Sequence, residues 1–231
     1  MSKILRVVLA AFLAVSVGFA VASPASADGH LLPAGEVGED GLHMQPWFHE
    51  SFLDLGEDLA DAQAQGKRLM IFWEQRGCPY CKKMHDVNLR IPRVVETLKN
   101  DFMVIQLNLW GDREVTDFDG EVLKEKDLAN KWRVMFTPTL QFFPATAKEM
   151  AGKSGVDGEV VRIPGYFKPF HFYFLLQYAK TGGYEAQPSF QRWLSAVGNK
   201  LDELGVHYDL YADDLPKDLP KDLPKDLFTD M

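Results

Sequence analysis

The stretch Arg68-Leu69-Met70-Ile71-Phe72-Trp73-Glu74-Gln75-Arg76-Gly77-Cys78-Pro79-Tyr80-Cys81 decides how the rest of this 231-residue chain is read. Its first six residues form a short, nearly continuous apolar run of strand length. That is the pattern of a strand covered on both faces, as in a parallel or mixed α/β sheet. Residues 78–90 then read as a helix, with Pro79 in the first turn, where a missing N–H costs no intrahelical bond. Cys78 falls at the helix N-terminus, where unpaired N–H groups and the helix dipole favour a thiolate, with Lys82 and Lys83 adding positive potential. Cys81, one turn further in, is shielded. One thiolate that attacks a disulfide and a second thiol that resolves the product are what dithiol–disulfide exchange requires, and the strand-to-helix setting makes Cys-x-x-Cys a redox motif.

Outward from this stretch the pattern stays α/β. On its N-terminal side, residues 28–48 are loop-like, and 51–65 place Phe52, Leu55, Leu59 and Ala62 at helical spacing before Gly66. On its C-terminal side a helix is expected from Pro92 through Leu98 and an apolar strand over 102–110. Residues 111–120 are polar and read as an insertion, followed by a helix over 121–132 carrying Val122, Leu123, Leu128 and Trp132. Strands are expected at 139–143 and 159–163 with a glycine-rich hairpin connection between them, then helices at 169–180 and 189–204. The fold class is therefore α/β, a central mixed sheet with helices on both faces, an insertion near 111–120 and added C-terminal helices.

Composition narrows the function. Two cysteines exclude a multi-disulfide scaffold and a closed four-cysteine zinc or iron–sulfur site. A net charge of −8 disfavours nucleic acid and anionic membranes as partners. Lys3 and Arg6, the apolar run 7–22 and Ala25-Ser26-Ala27 read as a signal peptide over 1–27, with cleavage after Ala27 and export; an uncleaved anchor is the competing reading. After a 28–48 loop segment, the domain is expected over 49–207. Residues 208–231, in which Asp-Leu-Pro-Lys repeats, read as a low-complexity, disordered tail, since proline at every fourth position forbids a helix interior.

Other chemistries use the same cysteines. A c-type haem requires histidine after the second cysteine, where Lys82 stands, so that reading fails. A copper(I) chaperone would recruit His85 beside Cys78 and Cys81. A structural staple closing so small a loop removes little unfolded-state entropy. A further signal is Thr137-Pro138-Thr139, where the proline begins a strand and does not interrupt one.

The apolar strand ending in Phe72-Trp73, the Cys-x-x-Cys helix, the Thr-Pro-Thr strand start and the final hairpin and helix together resemble the thioredoxin superfamily over roughly residues 50–180. The segments Trp73 to Cys81, Leu107-Asn108-Leu109-Trp110-Gly111 and Pro164-Gly165-Tyr166 are similar to those of the SoxW-type periplasmic thioredoxins of bacterial sulfur-oxidation (Sox) systems. The resemblance implies an exported, periplasmic protein that reduces disulfides of Sox-system proteins or serves their maturation, with a membrane thiol-electron transporter as its reductant. It implies no cofactor beyond a redox-active Cys78–Cys81 disulfide, and no metal. Pro138 matches the family's cis-proline, which with Thr137 would bind the substrate backbone. Oxidase or isomerase activity uses the same motif. Ile71 stands where thioredoxins carry a buried aspartate, which leaves Glu74 as the nearest carboxylate. Among supporting residues we count Pro79, Tyr80 and Glu74, and Trp73 is expected to line the docking surface with Thr137 and Pro138. Trp47, Trp110, Trp132 and Trp193 are expected to be packing residues.

Overall fold

A computed structural model describes residues 31–223 and Phe228; the signal-peptide reading of 1–27 lies outside them. In chain order the elements are strands β1 (Glu36–Val37) and β2 (His43–Met44), helix α1 (Leu55–Ala64), strand β3 (Arg68–Glu74), helices α2 (Pro79–Asp86) and α3 (Pro92–Asp101), and strands β4 (Phe102–Asn108), β5 (Glu114–Thr116) and β6 (Val122–Lys124). Helix α4 (Glu125–Lys131), strand β7 (Thr139–Phe142), the single turn α5 (Gly155–Gly158), strand β8 (Val161–Pro164), helix α6 (Pro169–Thr181), the single turn α7 (Gly183–Ala186) and helix α8 (Phe190–Glu203) complete it.

The central sheet has the order β4-β3-β7-β8, with β3 parallel to β4 and antiparallel to β7, and β7 antiparallel to β8. As the continuous apolar run of β3 requires, both faces are covered. Met70 and Phe72 point into a core shared with Met84 of α2, Val94 and Leu98 of α3, Phe174 of α6 and Trp193 of α8. Leu69, Ile71 and Trp73 point the other way, against Leu55 and Leu59 of α1, Leu128 of α4 and Trp132 at the C-terminus of α4. The two-residue period of a strand thus puts Glu74 on the side of Phe72.

Several expectations are corrected. Residues 121–132 are not one helix: Val122–Lys124 pairs with Glu114–Thr116, so the polar stretch supplies the first strand and most of the turn of a hairpin, and α4 begins only at Glu125. Asp119 and Gly120 (φ +85°) make that turn, and Phe118 and Leu123 reach the core that helical spacing had assigned to Val122, which is exposed. Helix α1 starts at Leu55, because the Asp54 carboxylate accepts from the N–H groups of Gly56 and Glu57 and caps it there, leaving Phe52 in solvent. The 28–48 segment is not a bare loop, since β1 and β2 pair within it. Nor is the repeat tail free over its described part. Leu219 is buried, Leu215 and Leu223 pack on the α3/α6/α8 core, and Arg93 donates to the carbonyls of Leu219 and Lys221. The repeat offers a leucine every fourth residue, and the chain's own domain receives those of its described part, where the Leu219 N–H closes a turn onto the Pro216 carbonyl at 3.2 Å.

Candidate functional site

The site begins where β3 ends. Gly77 takes φ +72°, a conformation that side chains with a Cβ rarely adopt, and the chain turns there into α2. Cys78 is the N-cap of α2, with Pro79 in the first turn. Cys78 and Cys81 are joined as a disulfide. The Cys81 N–H points at the Cys78 sulfur, with N···Sγ 3.0 Å, and Lys82 donates to the Cys78 carbonyl at 3.0 Å. Cys81 is fully enclosed, whereas Cys78 keeps 3% of its surface. Of the two, only Cys78 keeps any exposed surface.

Across from it lies the loop before β7. The Thr137–Pro138 peptide bond is cis, the Thr137 hydroxyl donates to the Cys78 sulfur at 3.3 Å, and the Thr137 carbonyl oxygen is 3.4 Å from that sulfur. Beside the pair runs an open groove of about 480 Å³ lined by Tyr80, Phe136, Thr137, Pro164, Gly165 and Tyr166. Tyr80 stacks on Tyr166 at 6.5 Å, and Lys83 sits 5.1 Å over the Tyr166 ring. Burial pushes the Tyr166 hydroxyl up to about 12, so it stays protonated at any ordinary pH. Tyr80 and Phe136, which line this groove, are both exposed, as are Met135 next to Phe136 in the chain and Trp110.

Trp73 belongs elsewhere, contrary to the expectation that it lines the docking surface. It is fully buried on the opposite sheet face and donates its Nε1–H to Gln141 Oε1 at 2.6 Å. The reason is parity: one residue before Glu74, it faces away from α2. Trp110 is the exposed tryptophan near the site, and its Nε1–H donates to Gln75 at 2.7 Å. Packing does hold for Trp132 and Trp193, both fully buried.

Glu74 and His85 are brought together. Both are buried, at 0% and 1% exposure, and His85 Nε2 lies 2.8 Å from Glu74 Oε1. Gln106 Nε2 donates to the other carboxylate oxygen, Oε2, and to the His43 carbonyl, each at 2.6 Å. Gln45 Nε2 lies 3.1 Å from His85 Nδ1. His85 is stacked between Phe72 at 5.6 Å and His43 at 5.2 Å. With both ring nitrogens occupied, His85 is not placed to join the cysteines around a copper(I) ion. Gln45, His43 and Gln106 were not singled out from the sequence: a polar residue in a loop and one in an apolar strand carry no local signal of a shared partner.

Comparison with known proteins agrees with this architecture. The Thioredoxin-like domain family profile matches residues 55–180. Among solved structures the chain is similar to a thioredoxin-fold protein from Helicobacter pylori, with 19% identity over 60% of this chain and 86% of that one and a TM-score of 0.45. It is also similar to a thioredoxin from Thermus thermophilus, with 28% identity over 58% of this chain and 90% of that one and a TM-score of 0.43. No curated protein matches it.

Proposed function

The chain belongs to the Thioredoxin-like domain family, and from that premise we propose that it is an exported thiol–disulfide oxidoreductase that reduces disulfides of partner proteins. One observation carries the reading: the only two cysteines of the chain form a disulfide across the first turn of α2, with Cys78 the one that retains exposed surface, beside Thr137 and Pro138. In the reduced form, Cys78 at the helix N-terminus is the thiolate. It attacks one sulfur of the partner's disulfide, forming a mixed disulfide and expelling the second partner sulfur as a thiolate. Cys81 then loses its proton and attacks the Cys78 sulfur. The first partner sulfur leaves as a thiolate, and the two partner thiolates take up protons according to their own pKa values. Two electrons pass to the partner, and the Cys78–Cys81 disulfide is left for an external dithiol to reduce. Thr137 and Pro138 flank the attacked sulfur, Pro79 and Tyr80 shape its rim, and the apolar groove suits an extended, aromatic or aliphatic partner segment.

The motifs at 73–81, 107–111 and 164–166 support Sox-system proteins as the partners, a membrane thiol-electron transporter as the reductant and the periplasm as the compartment. Equilibrating the protein with glutathione redox buffers tests the direction of transfer. A reductant gives a potential near the thioredoxin value of about −270 mV, and an oxidant one near about −120 mV. Cys81→Ala should trap mixed disulfides with partners through Cys78, and Cys78→Ser should trap none. If Cys81→Ala accumulates no mixed disulfide and the wild-type pair does not equilibrate with glutathione, the proposal is wrong.

A further inference from the structure

The family match begins at residue 55, yet the segment before it grips the redox helix from two sides. Ahead of Cys78, Arg76 donates from Nε to the Asp40 carbonyl at 3.0 Å and from Nη2 to the Glu39 carbonyl at 3.5 Å. Gly41 makes that approach possible, because a Cβ there would lie 2.6 Å from Arg76 Nε. Beyond Cys81, on the next turn of α2, the same segment supplies the His43 ring, the His43 carbonyl and the Gln45 side chain around His85 and Glu74.

The heavy-atom contacts at this second site fit one placement of the protons. Gln106 Nε2 faces two oxygens, so it donates to both. Glu74 Oε1 is then the acceptor for the Nε2–H of His85, and Gln45 Nε2–H fills the lone pair on Nδ1. A doubly protonated ring would set an N–H against the N–H of Gln45. In that placement the pair carries one negative charge, on Glu74, buried beneath a helix whose N-cap must become a thiolate. Among the neighbouring ionisable groups, Lys82 pairs with Asp86 on the same helix, Lys83 lies over the Tyr166 ring, Arg76 turns to the Asp40 and Glu39 carbonyls, and burial lowers the pKa of His43.

We propose that the 31–48 segment is a working part of the redox site, in which Gln45 acts as a positioning residue that holds His85 as the Nε2-protonated, neutral tautomer, so that the charge of Glu74 restrains thiolate formation at Cys78. The inference rests on Cys78 being the reactive thiol of the proposed function, and it assigns the tuning of that thiol to a segment outside the matched domain.

The test is the pH dependence of Cys78 alkylation by iodoacetamide in the reduced full chain, which requires no partner protein. Glu74→Gln should lower the midpoint by about half a pH unit or more, roughly threefold in thiolate fraction below the midpoint. Gln45→Met should move it the same way, since Nδ1 is then free to take the proton that cancels the charge. Added to Glu74→Gln, Gln45→Met should give no further shift. A Gln45→Met profile identical to the wild type overturns the proposal, as does an unchanged Glu74→Gln profile. Should the variants not fold, ¹⁵N shifts of the wild-type His85 ring decide: an unprotonated Nδ1 with a protonated Nε2 supports the assignment, and a protonated Nδ1 overturns it. Shifted midpoints in a protein that fails to equilibrate with glutathione would sink the oxidoreductase reading and leave this one standing.

Discussion

The two faces of the central sheet treat a buried carboxylate in opposite ways. On the face of Trp73, Asp117 receives Trp132 Nε1–H at 3.0 Å, the Ser154 hydroxyl at 2.8 Å and the Gly155 N–H at 3.0 Å, and it pairs with Lys131 at 2.7 Å. Towards the same end of the sheet, Glu125 receives the Asn108 N–H at 2.8 Å and pairs with Arg113 at 2.5 Å. Each has a cation that stays charged throughout the working pH range, and Lys131 is pushed further up, though desolvation opposes it, by its hydrogen bonds to Asp117, Asp119 and Glu121. On the face of Phe72, Glu74 is held by a histidine and an amide, and among the described residues no lysine or arginine pairs with it. A carboxylate that only ties loops together is best served by permanent charges and backbone donors. One whose only ionisable partner is a neutral ring keeps an uncancelled charge and is placed to act on nearby chemistry.

The largest effect expected from breaking this contrast is on stability. Asp117→Ala strips partners from an indole N–H, a hydroxyl and a backbone N–H at once, and should cost about 3–5 kcal/mol in urea unfolding. It should leave the alkylation profile of Cys78 where it was, because the lost charge lies across the sheet. A shift of that profile would show that the two faces are not chemically separate. Gln106→Leu sharpens the same contrast at a smaller cost. It removes one donor from Glu74 and one from the His43 carbonyl, about 1–3 kcal/mol, and unlike Asp117→Ala it should also move the Cys78 profile. A stability loss with no change in the profile would make Gln106 a packing residue only.

How far this contrast could be read in advance depends on which interactions are local. The order of sheet and helices, the Cys78–Cys81 pair and the strand start at Pro138 all follow from short-range pattern: an apolar run, a helix-opening proline, a proline before a strand. The Trp73 error was one of parity. A continuous apolar strand carries no alternation to say which residue faces which layer, so the residue beside the motif was assigned to the motif's face. The burial of Glu74 was not legible for the complementary reason, since it depends on partners 11, 32 and, through His85, 40 residues away in the hydrogen-bonded pairs. The hairpin at 114–124 was missed because Val122 and Leu123 fit a helix face and a strand edge equally well. In the described part of the tail, 208–223, no helix or strand forms. What the repeat could not reveal is that Arg93 and the α3/α6/α8 core receive its leucines.

The smallest expected effect concerns His43, which belongs to the titratable side of the contrast. Burial lowers its pKa below the ordinary 6.5, against an opposing pull from Glu74, and its Nδ1 is enclosed without a hydrogen-bond partner. The unfolded chain therefore takes up the proton first as pH falls. Stability from this residue is complete above 6.5, is lost as pH drops from there through the lower folded value, and levels off below it. His43→Phe keeps a ring over His85 and removes the titration, so the fall in the urea midpoint between pH 7 and pH 5 should be shallower than in the wild type. Part of the slope should survive, because burial also lowers the pKa of His171. The same comparison made with Asp117→Ala should show the wild-type slope on a lower baseline, since His43 and His171 are unchanged in that variant. If His43→Phe instead falls as steeply as the wild type, the pH sensitivity of the fold does not pass through the segment that covers Glu74 and His85. The difference between the two sheet faces would then lie in their hydrogen-bond partners and not in their response to protons.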